Sequence, residues 1–560
     1  MIEIEDSKRI FEIRAYRKAA LTLETMQEDV ADILEKKGME GLMELQGIGE
    51  GLAKKIKEYV ETGRMKKYDE YKKKYPFDLY NLTKIQGLGP RKAFRLYSEL
   101  GVRNVKDLKK VIMKQKVRKL EGFGERSEKE MAKGIAMFES GSERMLLGTA
   151  LPEAEAIVGK LLKSGFVQRA EVAGSSRRMR ETVGDIDILA ISDKPEKVKE
   201  FVSKMKEVES AISSGPTKTT VRLRIGLNCD IRVLKRESFG AAMQYFIGSK
   251  AHNVKMRQIA IRKGYKLNEY GLFDKRERSV AGEEEKEVYA KLGLDYMEPE
   301  MREDRGEIEL AMEHKVPRLV QLNDIRGDLH MHTVYTDGLN TIEEMVKEAV
   351  GIGREYIGFT DHSKSEYQAH GMDDRRYAEY SREIDSMRKK YDGRIEILKS
   401  SEVDILKDGS LDFSRKSLEM MDYVLASVHT NLNMPREEMT KRIIKCLEGG
   451  MVDIMAHPTD RLINQRPPIN ADWDRIFDVA EKQGVVMEID SAPERLDLND
   501  ENIFRARSHN LRFSIDTDSH RTGHMRFMRF GIGTAKRGWV VKEEVINARG
   551  YKDILKVLGR

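Results

Sequence analysis

The stretch Gly174-Ser175-Ser176-Arg177-Arg178-Met179-Arg180-Glu181-Thr182-Val183-Gly184-Asp185-Ile186-Asp187-Ile188-Leu189 narrows what this chain can become more than any other. It runs from a Gly-Ser turn through a basic run into an apolar strand that carries Asp-x-Asp. Side chains alternate faces along a strand, so Asp185 and Asp187 point the same way. Two carboxylates side by side repel unless a cation sits between them, and oxygen ligands suit Mg²⁺ or Mn²⁺. Gly174 lets the backbone approach a ligand closely. The N–H groups of the turn, with Ser175 and Arg178, can hold phosphates. Alone, the stretch points to transfer of a nucleotide and leaves the acceptor open.

The acceptor is suggested by charge. Residues 51–120 hold 21 Lys and Arg against 7 Asp and Glu, a block that favours a polyanion such as nucleic acid. At its leading edge Gly47-Ile48-Gly49-Glu50-Gly51 leads straight into a helical pattern, and within it Gly87-Leu88-Gly89-Pro90-Arg91-Lys92 repeats the arrangement, with Pro at a helix start. Gly122-Phe123-Gly124-Glu125-Arg126 is a third copy, and the spacings of 40 and 35 residues make an internal repeat. A glycine turn before a helix start offers free N–H groups to a phosphate. The third copy is flanked by four acids between Glu121 and Glu130, which favours a structural role for it.

At 560 residues the chain should hold three or four domains. Its two isolated cysteines, Cys229 and Cys446, imply a reducing compartment. The N-terminus is too charged for a secretory leader and no apolar run reaches membrane-spanning length, so the expected location is the cytoplasm, without membrane association. Residues 1–75 read as helices, Arg144 to Leu162 as a helix, and Val221 to Val233 as one alternating strand that supplies a third carboxylate, Asp230. Tyr245-Phe246-Ile247-Gly248-Ser249-Lys250 and Asn253 follow, and an acidic segment, Glu283 to Glu309, closes this half.

From about residue 5 to 312 these motifs, in this order, resemble the family X DNA polymerases, the group that includes polymerase beta. The resemblance implies a multidomain α+β and α/β chain: a helix-hairpin-helix domain at 1–80, a second at 81–140, a nucleotidyltransferase palm at 141–235 and a thumb at 236–312. It implies that Asp185, Asp187 and Asp230 hold two Mg²⁺ ions, with Asp230 nearest the primer 3′-hydroxyl. Arg144, Gly174, Ser175, Arg178 and Gly184 would hold the triphosphate. Tyr245, Phe246 and Gly248 would lie along the sugar, and Asn253 would reach the base edge. Gly47, Gly49, Gly51, Gly87, Gly89, Arg91 and Lys92 would contact the DNA backbone. Lys55 occupies the place of a lyase lysine, but Glu12 and Gly51 stand where polymerase beta has lysines for a 5′-phosphate.

After an expected linker at 313–325 the composition changes. Nine of the 11 histidines fall beyond residue 325. They recur at the ends of apolar runs, as in Asp328-Leu329-His330-Met331-His332 and Ile454-Met455-Ala456-His457. Strand, ligand, then helix is how a β/α barrel builds a site at one mouth. Residues 326–560 resemble the PHP phosphoesterase domain, a distorted (β/α)₇ barrel. That resemblance implies up to three metals, Mn²⁺ or Zn²⁺, on His330, His332, Asp337, His362, Glu402, His429, His457, Asp518 and His520, with Glu402 bridging. His370, His509 and His524 fall outside the pattern, as surface residues or neighbours of the ligands.

The combined expectation is a monomeric repair polymerase that fills short gaps with dNTPs on gapped or primed DNA and trims 3′ ends. Three other readings stay open: a polymerase whose barrel is structural, a template-independent nucleotidyltransferase, and a non-catalytic DNA repair scaffold. The barrel's chemistry also leaves room for 3′-phosphatase or abasic-site endonuclease activity.

Overall fold

The computed structural model describes residues 10–558 apart from 26–29, 46, 84, 86, 87, 142 and 143. The chain divides into two compact units, residues 1–142 with 464–466, and residues 143–463 with 467–560. No helix among the described residues is long and apolar enough to cross a membrane.

The first unit is helical. Gly47, at φ +77°, makes the turn before helix α1, Glu50–Thr62, for which Gly49 is the N-cap. Gly89 stands at the same place before α2, Pro90–Leu100. Left-handed Gly63 and Gly101 end these helices, as expected of glycine at a helix C-terminus. Ala53 and Ile56 of α1 bury against Ala19, Ile33, Leu42 and Ile48. The helix Lys66–Lys74 sends Tyr71 into a second core, with Leu82, Leu96 and Ile135, so part of the stretch expected in the first hairpin domain packs with the second. The third hairpin is anchored: buried Glu128 accepts from the Arg118 Nε at 2.5 Å, and Arg95 donates to the Glu121 carbonyl at 2.9 Å.

The second unit begins with a five-stranded sheet of β1 Arg169–Val172, β2 Asp185–Ile191, β3 Val208–Ser214, β4 Lys218–Leu223 and β5 Asn228–Leu234, in the order β1-β2-β5-β4-β3. The alternation over Val221 to Val233 suggested one strand. The chain instead reverses at Gly226, φ +88°, and the alternation continues on both arms of a hairpin. Arg144 likewise precedes a short strand, Met145–Leu146, paired with Thr182–Val183; the helix behind it is Leu147–Lys163.

The following segment carries the helices α3, Phe239–Ile247, and α4, Lys250–Arg262, over a three-stranded sheet. Two of its acids have internal partners. Buried Glu307 accepts from His252 Nδ1 at 2.8 Å, and Glu285 pairs with fully buried Arg302. Residues 313–325 do not trail through solvent either: Leu319 and Val320 are fully buried, and the Val320 N–H donates to the Val540 carbonyl.

Seven parallel strand positions then form a ring. They are β6 Gly327–Asp328, β7 Tyr356–Phe359, β8 Glu396–Lys399 continued as β9 Glu402–Asp404, β10 Leu425–Ser427, β11 Ile454–Met455, β12 Val486–Asp490 and β13 Phe513–Asp516. Parallel pairing runs β6-β7-β8 and β9-β10-β11-β12-β13. Pairing of His362 with Glu402 joins the two groups, and pairing of Met331 with Ser519 closes the ring. Strands buried on both faces explain the near-continuous apolar runs of this half.

The sheet of β1–β5 does not complete its core by itself. Ile463, Leu496 and Phe530 of the barrel half are buried in the same apolar cluster as Leu147, Ile186 and Cys229. Gly148 is required at this seam, because a Cβ there would lie 2.3 Å from Pro493.

Candidate active sites

The first candidate site lies where β2 and β5 run side by side. Parallel pairing sets Asp187 directly opposite Asp230, and Asp185 follows the same face two residues earlier. Burial, with the charges of Asp185 and Asp230, pushes the Asp187 carboxyl up to about 6. Asp230 accepts from Thr220 Oγ1 at 2.6 Å and pairs with Lys218 at 2.5 Å. Three carboxylates crowded in this way can hold divalent cations, and the raised Asp187 records the cost of crowding without them.

A cleft of about 630 Å³ opens over this sheet face. It is lined by Arg144, Gly174, Ser175, Arg178, Asp185, Asp187, Tyr245, Phe246, Gly248 and Asn253, all expected from the sequence. Gly184, also expected there, is not among the lining residues; a Cβ on it would be 3.4 Å from Arg144, whose guanidinium donates to Thr182. The Tyr245 and Phe246 rings meet edge to face at 5.0 Å. The Asn253 amide is held from both sides, accepting from Gln244 at 2.8 Å and donating to the Tyr245 carbonyl at 2.7 Å. Arg180, Lys250 and Arg257 also line the cleft and were not singled out from the sequence. Lys250, Asn253 and Arg257 lie at i, i+3 and i+7 on α4, so helical periodicity could have found the two cations.

Gly174 is at φ +64°, and a Cβ on it would come within 2.5 Å of Asp187 Oδ2. Gly174→Ala should therefore push Asp187 out of line. A misplacement of ~1 Å at a reacting centre costs on the order of 10²-fold, so primer extension should fall by about that factor. Single-turnover insertion kinetics will check this; a loss of less than about threefold would mean that Asp187 tolerates the shift.

The second candidate site is the mouth of the barrel. The C-terminal ends of the strands and the loops after them bring together all nine residues expected there: His330, His332, Asp337, His362, Glu402, His429, His457, Asp518 and His520. Glu402 is central. Its carboxylate lies 3.3 Å from His330, 3.4 Å from His332, 3.1 Å from His362, 3.1 Å from His429 and 2.7 Å from His457. Burial alone would raise the Glu402 pKa, but His429, His362, His457 and His330 hold it well below the usual range. His332 is also displaced downward, to about 4, by burial and by His520 and His362, which favours its neutral form. His332 Nδ1, His362 Nδ1, both Glu402 oxygens and Asp518 Oδ1 are buried without hydrogen-bond partners. Buried polar atoms rarely go unsatisfied, so this donor set fits divalent metal.

The supporting residues were not legible beforehand. Glu488 on β12 accepts from His330 Nδ1 at 2.7 Å and from the His457 N–H; Asp404 lies 3.2 Å from His429 Nδ1. Such carboxylates set the tautomer and orientation of a ligating histidine. An acid inside the fully buried run Val486-Met487-Glu488-Ile489-Asp490 was the available signal. His370 is exposed, His509 pairs with Asp478 at 2.8 Å, and the His524 ring stacks on Phe527.

In the helical unit, Gly49, Gly51 and Gly89 have open space around them, and Arg91 and Lys92 are exposed on α2. Gly87 lies outside the described residues. Lys55 donates to the Tyr16 hydroxyl at 2.6 Å.

Family models match four stretches of the chain: a helix-hairpin-helix domain at residues 1–65, a SAM-like helix-hairpin-helix tandem at 79–136, the DNA polymerase beta thumb at 242–303 and the PHP domain at 328–492. The DNA polymerase/3′-5′ exonuclease PolX of Bacillus subtilis (strain 168) is 36% identical over 557 residues, 98% of this chain and 95% of that protein. A probable phosphatase of Thermoanaerobacter sp. (strain X514) is 26% identical over 231 residues, 39% of this chain and 89% of that protein. A solved structure of Leishmania infantum polymerase beta, a ternary P/T complex, is 25% identical and covers 40% of this chain and 97% of that one, with a TM-score of 0.26.

Proposed function

Because this chain belongs to the family of the DNA polymerase/3′-5′ exonuclease PolX, we propose that it fills short gaps in DNA and trims 3′ ends at a separate centre. Two centres on one chain carry the reading: Asp187 opposite Asp230 beneath a cation-lined cleft, and nine metal-type ligands at a barrel mouth.

In the first centre Asp185, Asp187 and Asp230 hold two Mg²⁺ ions. Bound there, the ions supply Lewis acidity to the primer hydroxyl and to the departing pyrophosphate. Asp230 takes the hydroxyl proton. Ser175, Arg178 and Arg144 bind the triphosphate of a dNTP, with Gly174 and Gly184 leaving room. Tyr245, Phe246 and Gly248 flank the sugar, and Asn253, its amide fixed by Gln244, faces the base. In the second centre His330, His332, Asp337, His362, Glu402, His429, His457, Asp518 and His520 hold up to three ions, Mn²⁺ or Zn²⁺ by donor type. Loaded, that centre supplies activated water for phosphodiester hydrolysis. Glu488 and Asp404 keep His330 and His429 turned toward it.

The hairpins at Gly47, Gly49 and Gly51 and at Gly87 and Gly89, with Arg91 and Lys92, hold the DNA backbone of gapped or primed substrate without reading sequence. The protein acts as a monomer in the cytoplasm; its two cysteines are free and buried, consistent with a reducing compartment. Binding to gapped DNA should weaken steeply with salt, with a log–log slope of about −3 or steeper if four or more phosphates are neutralised. Fluorescence anisotropy across a salt series measures the slope, and a flat response would sink the hairpin assignment. Extension of the same primer with and without its template strand decides gap filling; equal extension in both would favour template-independent transfer.

A further inference from the structure

The turn between Gly174-Ser175 and Asp-x-Asp rests on the barrel. Arg537, on the helix Met528–Arg537 that follows β13, donates to the Arg178 carbonyl at 3.0 Å and to Glu303 Oε1 at 2.8 Å. The same Glu303 oxygen accepts from Arg178 Nε at 3.1 Å, and Arg180 approaches it at 3.7 Å. Arg537 also donates to Asp500 at 2.7 Å, which Arg305 shares at 3.0 Å. Met179, at φ +51°, packs so closely on Gly533 that a Cβ there would meet it at 2.6 Å. Glu181 is paired with the barrel's Arg461 at 2.6 Å, and Arg461 is in turn held by the Leu496 carbonyl. Every charged partner in this chain of contacts belongs to the same compact unit.

The arrangement solves an electrostatic problem. Arg178 lines the nucleotide cleft, yet a glutamate stands beside it. If Glu303 served Arg178 alone, the pair would be neutral and the guanidinium would have little left for a triphosphate. Sharing the carboxylate with Arg537 and Arg180 leaves the group net positive, because four guanidiniums divide two carboxylates. The Arg178 NH1 is committed to the Ile247 carbonyl and its Nε to Glu303, so one of the two anchors of the guanidinium plane is a carboxylate that Arg537 also holds. Bidentate recognition depends on that plane.

We infer that Arg537 of the barrel is a positioning residue for nucleotide binding in the polymerase centre, acting through Glu303 on Arg178, in addition to any hydrolytic role of its domain. This rests on the polymerase reading above. The contribution should appear in nucleotide affinity, since the contacts of Arg537 are with Arg178, Glu303 and Asp500 and not with Asp185, Asp187, Asp230 or the barrel's ligand set.

The test is steady-state single-nucleotide insertion on gapped DNA by the full chain, with 3′ trimming and thermal unfolding measured on the same preparations. Arg537→Met should raise the dNTP KM by roughly tenfold, the weight of one charge-assisted contact, with kcat changed by less than about threefold and trimming by less than about twofold. Arg537→Lys keeps the charge but loses the fork and should fall between wild type and Arg537→Met. Adding Glu303→Gln to Arg537→Met should raise KM no further than Arg537→Met alone, because the two act on one contact. Arg529→Met, which removes the separate seam pair with Glu155, should leave KM unchanged. An unaltered KM in Arg537→Met would overturn the inference. So would an equal rise in Arg529→Met, or a parallel fall in trimming and in thermal stability, each of which would mean that the seam as a whole had loosened. Absence of extension by the unaltered chain would overturn the polymerase reading instead.

Discussion

Replacing Asp187 by asparagine is expected to lower primer extension by about 10³-fold or more, the scale on which a single preorganised electrostatic contact counts in a closed site, and to leave 3′ trimming unchanged. Asparagine keeps the shape that Gly174 makes room for and removes only charge. With one carboxylate gone, Asp185 and Asp230 alone would offer a weaker site for the divalent cations that the three together would hold. The same substitution should not weaken the fold. The Asp187 pKa is raised to about 6, so whatever stability attends its protonated form is present below the usual carboxylate value and lost as pH rises through about 6. At neutral pH the neutral asparagine removes that cost, and the metal-free variant should unfold at or above the wild-type temperature. Gapped-primer extension in Mg²⁺, trimming in Mn²⁺ and a thermal melt in chelator make the comparison. Retention of more than about a tenth of the extension rate would show that Asp187 is not a ligand.

Glu402→Gln should give the mirror image, with trimming down by about 10³-fold and extension intact. Five imidazoles face this one carboxylate. Burial alone would lower the pKa of His429 and of His330, and Glu402 is among the acids that hold both well above the usual value. Removing one partner of a buried, charged cluster typically costs about 3–5 kcal/mol, so the metal-free variant should melt lower near neutral pH, where the protonated imidazoles lose their counter-charge. Saturating Mn²⁺ separates the two effects: it should restore much of the stability and little of the hydrolysis. Full trimming by Glu402→Gln would remove the barrel mouth from the reaction.

The residues of the two proposed ligand sets could be picked out because each set follows a local period. Asp185 and Asp187 share a face by strand alternation, and histidines recurring at the ends of apolar runs announce a barrel mouth before any tertiary contact is known. What escaped was held by long-range partners. Nothing near Glu303 in the chain says that it faces Arg178 across 125 residues, or that Glu488 orients His330 from 158 residues away. In the acidic stretch from Glu283 to Glu309 charge density was the only visible property; it could not show that Glu285 and Glu307 are the internal partners of Arg302 and His252. The hairpin at Gly226 was hidden for a different reason: alternation runs unbroken through a tight reversal, so pattern alone cannot locate the bend. The two-domain split of the helical unit came from the family resemblance, whereas the aromatic side chain of Tyr71 decides which core its helix joins.

Ile463, Leu496 and Phe530 lie in the barrel half but complete the apolar core beneath β2 and β5. Each fully buried side chain of this kind is worth about 1.5–3 kcal/mol, so together they supply a substantial share of the few kcal/mol by which a domain stays folded. The two halves are therefore unequal under mutation. A lineage that lost Glu402 would forfeit one reaction and some of the barrel's own stability, yet keep the apolar floor of the other site. A lineage that deleted the barrel would uncover the floor of the other site and forfeit both. Selection can thus relax on the nine proposed ligands long before it relaxes on three apolar residues that perform no chemistry, and a barrel without hydrolytic activity would be inherited as the foundation of the polymerase.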